Sequence, residues 1–378
     1  MTTQFEATEG GATAAGTGHL LVPQPRLPRG ATPWAYARSM LPILLPAALT
    51  RPADRLRARR LTARLGLAST GWVERTVADL LVTRAEEGTG QAVALKSPRS
   101  GRAAAALARE CGTLRALAAD ERLGDWRTLL PSPASVPYAP PPLVAQGWLP
   151  GVPASELVAR DPSNARRIAE TALGVIGELH RATGRRAPAS LLLGHWVDPA
   201  LAVLRTEIAW CRSRPGTEGL AAVRQRLMDG LADQELTTGW THGDFHPGNI
   251  LLTEDGKAAT GVIDWVEADP DGPSGTDACL FVLALRRQLT GLELGACVVE
   301  TLRNGALPED DRTLLLAVGL DLGEGQPVGT MLPLLTWLLH VAGNARKSAR
   351  YGRSRRWVAG NVIPVLTEAS HHEASRPH

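Results

Sequence analysis

The sequence predicts an α+β chain: a mixed strand-and-helix amino-terminal part, then a mainly helical carboxy-terminal part. Three observations carry that expectation. First, "QAVALKSP" alternates apolar and polar residues up to Lys96, the period of a half-buried strand, and "AAAALARECGTLRAL" follows it with apolar residues at helical spacing. Second, "RRIAETALGVIGELHRAT" and "GPSGTDACLFVLALRR" repeat the helical period further along the chain. Third, "WTHGDFHPGNILL" (Trp240 to Leu252) and "GVIDW" (Gly261 to Trp265) set short apolar, strand-like runs beside a dense group of polar residues.

That polar group reads as a phosphoryl-transfer site. Asp244 stands five residues before Asn249, and Asp264 lies fifteen residues after Asn249, at the end of an apolar run. Transfer from a nucleotide needs a carboxylate to orient or deprotonate the attacking hydroxyl, and hard oxygen ligands for a Mg²⁺ that bridges phosphates. Asp244 suits the first task. Asn249 and Asp264 suit the second.

The pattern H-G-D-x-x-x-x-N followed by I-D resembles the aminoglycoside phosphotransferase and choline kinase branch of the protein-kinase-like fold, with Gly where protein kinases carry Arg. His246, Pro247 and Gly248 extend the match. The resemblance implies a bilobal fold, with a small mixed-sheet N-lobe, a larger mainly helical C-lobe and the nucleotide in the cleft. It makes Lys96 the strand lysine at the α- and β-phosphates and Glu110 its helical partner. It puts backbone atoms of Gln146 and Trp148 at the base edge, with Gly147 between the lobes. No G-x-G-x-x-G is present, so Ser69, Thr70 and Gly71 stand in for the glycine-rich loop. His180 falls on a scaffold helix. His242 braces the catalytic loop, and Asp277 caps a helix while accepting hydrogen bonds from that loop. The implied cofactors are Mg²⁺ and ATP or GTP as phosphoryl donor. The implied partner is a small-molecule hydroxyl substrate: an aminoglycoside, another antibiotic, an amino alcohol or a sugar. A different class of function is a nucleotide-binding pseudokinase or regulatory module acting through the amino-terminal extension.

At 378 residues the chain holds one two-lobed catalytic unit and an extension. The expected division is an N-terminal extension over 1–60, an N-lobe over 61–148, a C-lobe over 149–365 and a flexible tail over 366–378. Residues 1–30, rich in Gly, Ala, Thr and Pro, read as disordered. Residues 34–64 combine an apolar run from Met40 to Leu49 with Arg51, Arg55, Arg57, Arg59, Arg60 and Arg64. The run is too short to span a bilayer, and its basic cluster follows rather than precedes it, unlike a signal peptide. A helical extension packed on the N-lobe is the first reading; a peripheral membrane contact or a partner-docking arm are the others.

Net charge is +3 and gives no reason to invoke nucleic acid. Glu267, Asp269 and Asp271 read equally as attraction for a cationic acceptor and as a solvated loop. The basic stretch with Arg346, Lys347, Arg350, Arg353, Arg355 and Arg356 reads first as a solvated helix face and otherwise as a dock for an anionic partner. Cys111, Cys211, Cys279 and Cys297 are too widely spaced for a metal or disulfide framework, and reduced buried thiols fit a cytoplasmic location. His371 and His372 are too isolated to suggest a metal site.

Overall fold

The computed structural model describes residues 52–136, 143–320, 322 and 327–374. The expectations for residues 1–51, including the apolar run, lie outside the described residues.

The first helix, α1 (Pro52–Arg64), turns Asp54, Ala58 and Thr62 inward on one stripe at i, i+4 and i+8. Asp54 pairs with Arg99, and Arg57 donates to Ser97 Oγ at 3.1 Å. These contacts dock the helix on the N-lobe, and Arg55, Arg59, Arg60 and Arg64 remain exposed. The helix runs through residue 60, so the boundary expected there falls inside a continuous element.

Beyond it come β1 (Ala68–Arg75), β2 (Leu80–Glu86), β3 (Ala92–Pro98), α2 (Gly101–Ala119), β4 (Pro133–Val136) and β5 (Leu143–Gly147). The five strands form one antiparallel sheet in the order β1-β2-β3-β5-β4. Alternation along β3 sends Val93 and Leu95 to a cluster with Ala85 and Ala145, and Lys96 to the other face. On that other face α2 packs Ala103, Leu107 and Cys111 against Leu80 and Val144. Ser100 starts α2 by accepting from Ala103 N–H at 3.2 Å.

The C-lobe begins with β6 (Val152–Pro153), α3 (Ala154–Arg160) and α4 (Ala165–Thr183). Helix α4 buries Ile168, Ala172, Ile176 and Leu179, as its periodicity predicts. Next follow β7 (Arg185–Pro188), α5 (Ala189–Glu207), α6 (Arg214–Leu231), β8 (Glu235–Thr241), β9 (Ile250–Leu252), β10 (Ala259–Val262) and β11 (Asp269–Pro273). Their strands make two three-stranded antiparallel sheets, β10-β9-β6 and β11-β8-β7. The chain then continues through α7 (Gly275–Thr290), α8 (Leu294–Asn304), α9 (Glu309–Leu316), α10 (Pro327–Lys347), α11 (Ala349–Arg353), α12 (Arg355–Asn361) and α13 (Ile363–Ala374). One large apolar core joins these helices. No helix among the described residues is long and apolar enough to cross a membrane.

The tail expected over 366–378 is corrected in its first part. Helix α13 reaches Ala374, and Leu366 and Ala369 are buried. Gly219 on α6 makes the fit possible: a Cβ there would lie 2.7 Å from Leu366 Cβ. The apolar spacing of 362, 365, 366 and 369 outweighs the polar residues between them.

Two predictions follow from this packing. Leu366→Ala should cost about 2–5 kcal/mol, seen as a lower urea midpoint with unchanged slope. Asp311 on α9 is buried, and its carboxyl is pushed up to about 6 by that burial, against the pull of Arg286. A carboxyl that binds its proton more tightly folded than unfolded supports folding as pH falls from about 6 towards the ordinary aspartate value, and opposes it above. Asp311→Asn should therefore stabilise the protein by about 1–3 kcal/mol at pH 8 and have little effect at pH 4, checked by denaturation at both values.

Candidate active site

The catalytic loop runs from β8 to β9, and one carboxylate organises its entry. Asp277, in the first turn of α7, accepts from His242 N–H at 2.7 Å and from Gly243 N–H at 2.9 Å. His180, near the end of α4, sits 3.1 Å from the same carboxylate, in the scaffold position expected of it. At Gly243 φ is +73°, and a Cβ would fall 2.1 Å from the Glu267 carbonyl oxygen, so no side chain fits.

His242 is fully buried between Trp265, at 4.6 Å between ring centres, and Phe245, at 5.9 Å. Its Nδ1 accepts from Asp244 N–H at 3.2 Å, and its Nε2 donates to the Ile263 carbonyl at 2.9 Å. One imidazole thus ties the turn before Asp244 to the strand end before Asp264. Asn249 Nδ2 donates to the Asp244 carbonyl at 2.9 Å, which fixes the orientation of the amide. Asp264 has left-handed backbone, φ +67° and ψ +60°, and its side chain is 45 % exposed.

Two basic groups close on Asp244, both from α10. Lys347 Nζ donates to Asp244 Oδ2 at 2.5 Å and reaches Asp264 Oδ2 at 3.5 Å. His340 Nδ1 lies 3.0 Å from Asp244 Oδ1. Burial alone would raise the Asp244 carboxyl, yet the Lys347 ammonium and the His340 imidazole hold it well below the usual carboxylate range. Asp264, half exposed, is lowered too: the Lys347 ammonium outweighs the partial loss of water around its carboxylate. Burial pushes His246 down to about 4, against the pull of Asp244, so at neutral pH that imidazole is uncharged.

Across the cleft Lys96 Nζ meets Glu110 Oε1 at 2.6 Å, with the glutamate fully buried. The strand lysine and helix glutamate are therefore paired as the resemblance implies. A family model described as the phosphotransferase enzyme family matches residues 78–274, a span that holds Lys96, Glu110, Asp244, Asn249 and Asp264. The chain belongs to this family.

Among solved structures, the GDP complex of wild-type aminoglycoside 2'-phosphotransferase-IIIa is 12 % identical, aligning 84 % of this chain with 99 % of that one at a TM-score of 0.51. It shares the fold. Macrolide 2'-phosphotransferase type I is 19 % identical over 87 % of this chain and 99 % of its own, at 0.47. The apoenzyme of a macrolide 2'-phosphotransferase from Brachybacterium faecium is 21 % identical over 86 % and 99 %, at 0.45. No curated protein matches the chain.

Other expected residues of this phosphotransferase lie less simply. Val82 pairs with both Lys96 and Glu74, whereas Ser69 pairs with Ala85, three register positions away. Ser69, Thr70 and Gly71 thus sit at an exposed irregularity of β1 towards the hinge, rather than in the row of Lys96. The β1–β2 turn itself, residues 76–79, has no glycine, and Asp79 takes φ +61° there with Arg75 on its carboxylate at 2.7 Å. At the hinge, Trp148 N–H donates to the Ala92 carbonyl at 3.0 Å and Gly147 N–H to Ser132 at 3.1 Å. Those two N–H groups are engaged within the protein. The Trp148 ring packs edge-on with Trp72 at 5.4 Å, with Arg84 over it at 5.2 Å. Gln146 is buried in β5.

The acidic loop divides. Glu267 is 5 % exposed and paired with Arg346, while Asp269 and Asp271 lie exposed on β11, with Arg185 at 2.8 Å from Asp271. The basic stretch divides too, which corrects its reading as a solvated face. Lys347 is buried in the site and Arg346 is paired; Arg350, Arg353, Arg355 and Arg356 are exposed. A cavity of about 270 Å³ opens beside the catalytic loop, walled by Trp196, Pro199, Thr336, Leu339, His340 and Glu267.

Sequence reasoning missed His340 and Lys347. One signal pointed to the lysine: of 41 Lys and Arg residues only three are Lys, at 96, 257 and 347, and two of those stand in the cleft. Gly243→Ala should abolish turnover and lower thermal stability, because both the positive φ and the Glu267 carbonyl oppose the added methyl; wild-type activity and melting would contradict this geometry.

Proposed function

We propose that the chain transfers the γ-phosphoryl group of ATP or GTP to a hydroxyl of a small molecule. The observation that carries this reading is the assembly of Asp244, Asn249 and Asp264 on one side of the cleft, opposite the Lys96–Glu110 pair. Asp244 orients the acceptor hydroxyl and takes its proton. Lys96, held by Glu110, meets the α- and β-phosphates.

The donor set fits a magnesium ion carried by the nucleotide. Among the described residues no cluster of three or more His, Cys, Asp or Glu could hold a metal alone. Mg²⁺ brought with phosphates needs only one or two protein oxygens, and Asn249 Oδ1 and Asp264 supply them. When bound, the ion would offset phosphate charge. The protein's own part is to fix those oxygens through the Asp244 carbonyl and the Asp264 backbone turn.

The cavity beside Gly243 and His340 suits the acceptor, since it is lined by the residue before Asp244 and by the imidazole that faces Asp244, and it joins an aromatic wall to polar edges. Aminoglycosides, other antibiotics, amino alcohols and sugars all present the needed hydroxyl. The domain limits proposed are a catalytic unit from α1 to α13, with the hinge near residue 148. A non-catalytic nucleotide-binding module has no physical need for the full set of Asp244, Asn249 and Asp264, so the catalytic reading is preferred.

Acceptor-dependent release of ADP or GDP with Mg²⁺, across those four acceptor classes, tests the proposal. Asp244→Asn should lower kcat about 10²–10⁴-fold with nucleotide affinity retained, and Asp264→Ala should abolish Mg-nucleotide turnover in a folded protein. Unchanged turnover in either variant would refute the assigned roles.

A further inference from the structure

Lys347 holds a position that neither the family match nor the catalytic motif assigns. It is the last residue of α10, and Ala345 and Ser348 on either side are buried, so its backbone is pinned. Ser348 N–H donates to the Asn344 carbonyl at 3.1 Å, and the Ser348 side chain caps α11. A cation at the end of a helix is also favoured by the backbone dipoles. His340, Asn344 and Lys347 stand at i, i+4 and i+7 and therefore share one face. Asn344 Nδ2 and His340 Nε2 are 2.9 Å apart, so the asparagine donates and His340 keeps its proton on Nδ1, the nitrogen facing Asp244.

The ammonium lies between the carboxylate read as orienting the acceptor and the one read as holding the metal, at 2.5 and 3.5 Å. That gap is where an acceptor oxygen and a γ-phosphorus must meet. The two carboxylates engage two of its three protons, leaving one for a phosphoryl oxygen. Both lobes thus direct a lysine at this gap, Lys96 from above and Lys347 from below, and Asp264 feels both charges.

Resting on the phosphotransferase reading above, we propose that Lys347 is a second catalytic cation, which contacts the phosphoryl group in flight and offsets the charge on its equatorial oxygens. In that step the acceptor oxygen bonds to the γ-phosphorus as the bond from that phosphorus to the β–γ bridging oxygen breaks. The bridging oxygen leaves with the electron pair on the nucleoside diphosphate, and the hydroxyl proton passes to Asp244. Lys347 stays protonated throughout. Its charge also lets the Asp244 carboxylate approach an anionic phosphoryl group, which two bare anions would resist. His340 acts as a positioning residue, through Asp244.

The test compares binding of MgADP with binding of MgADP plus aluminium fluoride, a mimic of the phosphoryl group in transit, by calorimetry on the full chain. Lys347→Met should bind MgADP within about threefold of wild type and lose on the order of 100-fold in affinity for the mimic. Equal losses for both ligands, or no loss for either, would overturn the proposal and leave Lys347 a structural counter-ion. Lys347→Arg keeps the charge, and with it the fold, if the methionine variant does not fold; it should retain MgADP affinity while the mimic weakens at least tenfold, and unchanged affinity for the mimic would overturn the proposal. Neither binding measurement needs an acceptor. Wild-type protein that binds the mimic through Lys347 but turns over no acceptor would count against the phosphotransferase reading alone.

Discussion

Two carboxylates share one ammonium at the centre of this molecule, and much of the C-lobe is arranged to permit it. Asp244 and Asp264 both lie in a cleft where unbalanced negative charge is costly. Lys347 supplies the balance from α10, and α10 is in turn packed on α5, α6 and α7 within the single apolar core. The charge balance of the site therefore depends on the helical packing beneath it. Asp277 plays the complementary role for the backbone, holding the His242 and Gly243 amides at the entry to the loop that carries Asp244.

The parts of the site legible in the sequence are those whose spacing is local. Asp244 and Asn249 are fixed relative to each other by a five-residue loop, and Asp264 by the short β9–β10 hairpin that follows it. Lys96 was legible because strand alternation and helical periodicity sit on either side of it, and those two patterns also bring Glu110 within 2.6 Å. His340 and Lys347 were not legible, because their neighbours along the chain look like an ordinary basic helix. Their meaning comes only from the place where α10 ends. Arg350, Arg353, Arg355 and Arg356, a few residues further on, are exposed.

The hinge and the phosphate-covering strand show a different limit. Residue types at Ser69, Thr70 and Gly71 suggested a flexible, amide-rich turn, and Gly71 does take a positive φ. Register, which composition does not carry, sets them three positions from the row of Lys96. The hinge backbone at Trp148 is legible from sequence order alone, whereas the engagement of its N–H by Ala92 depends on where β3 begins and β5 ends. At α13 the reverse occurred: apolar spacing was present, but scattered Glu, Ser and His masked it.

The sequence distance between the partners has a consequence for synthesis. Asp244 precedes Lys347 by 103 residues and Asp264 precedes it by 83. A ribosome making the chain at about 5–20 residues per second therefore presents both acids for several seconds before their cation exists. During that interval the catalytic loop and its acids carry their charge without Lys347, so the nascent chain is structurally unfinished at the very place where its chemistry resides. Any product that stops short of α10 carries the complete motif and lacks the finished site.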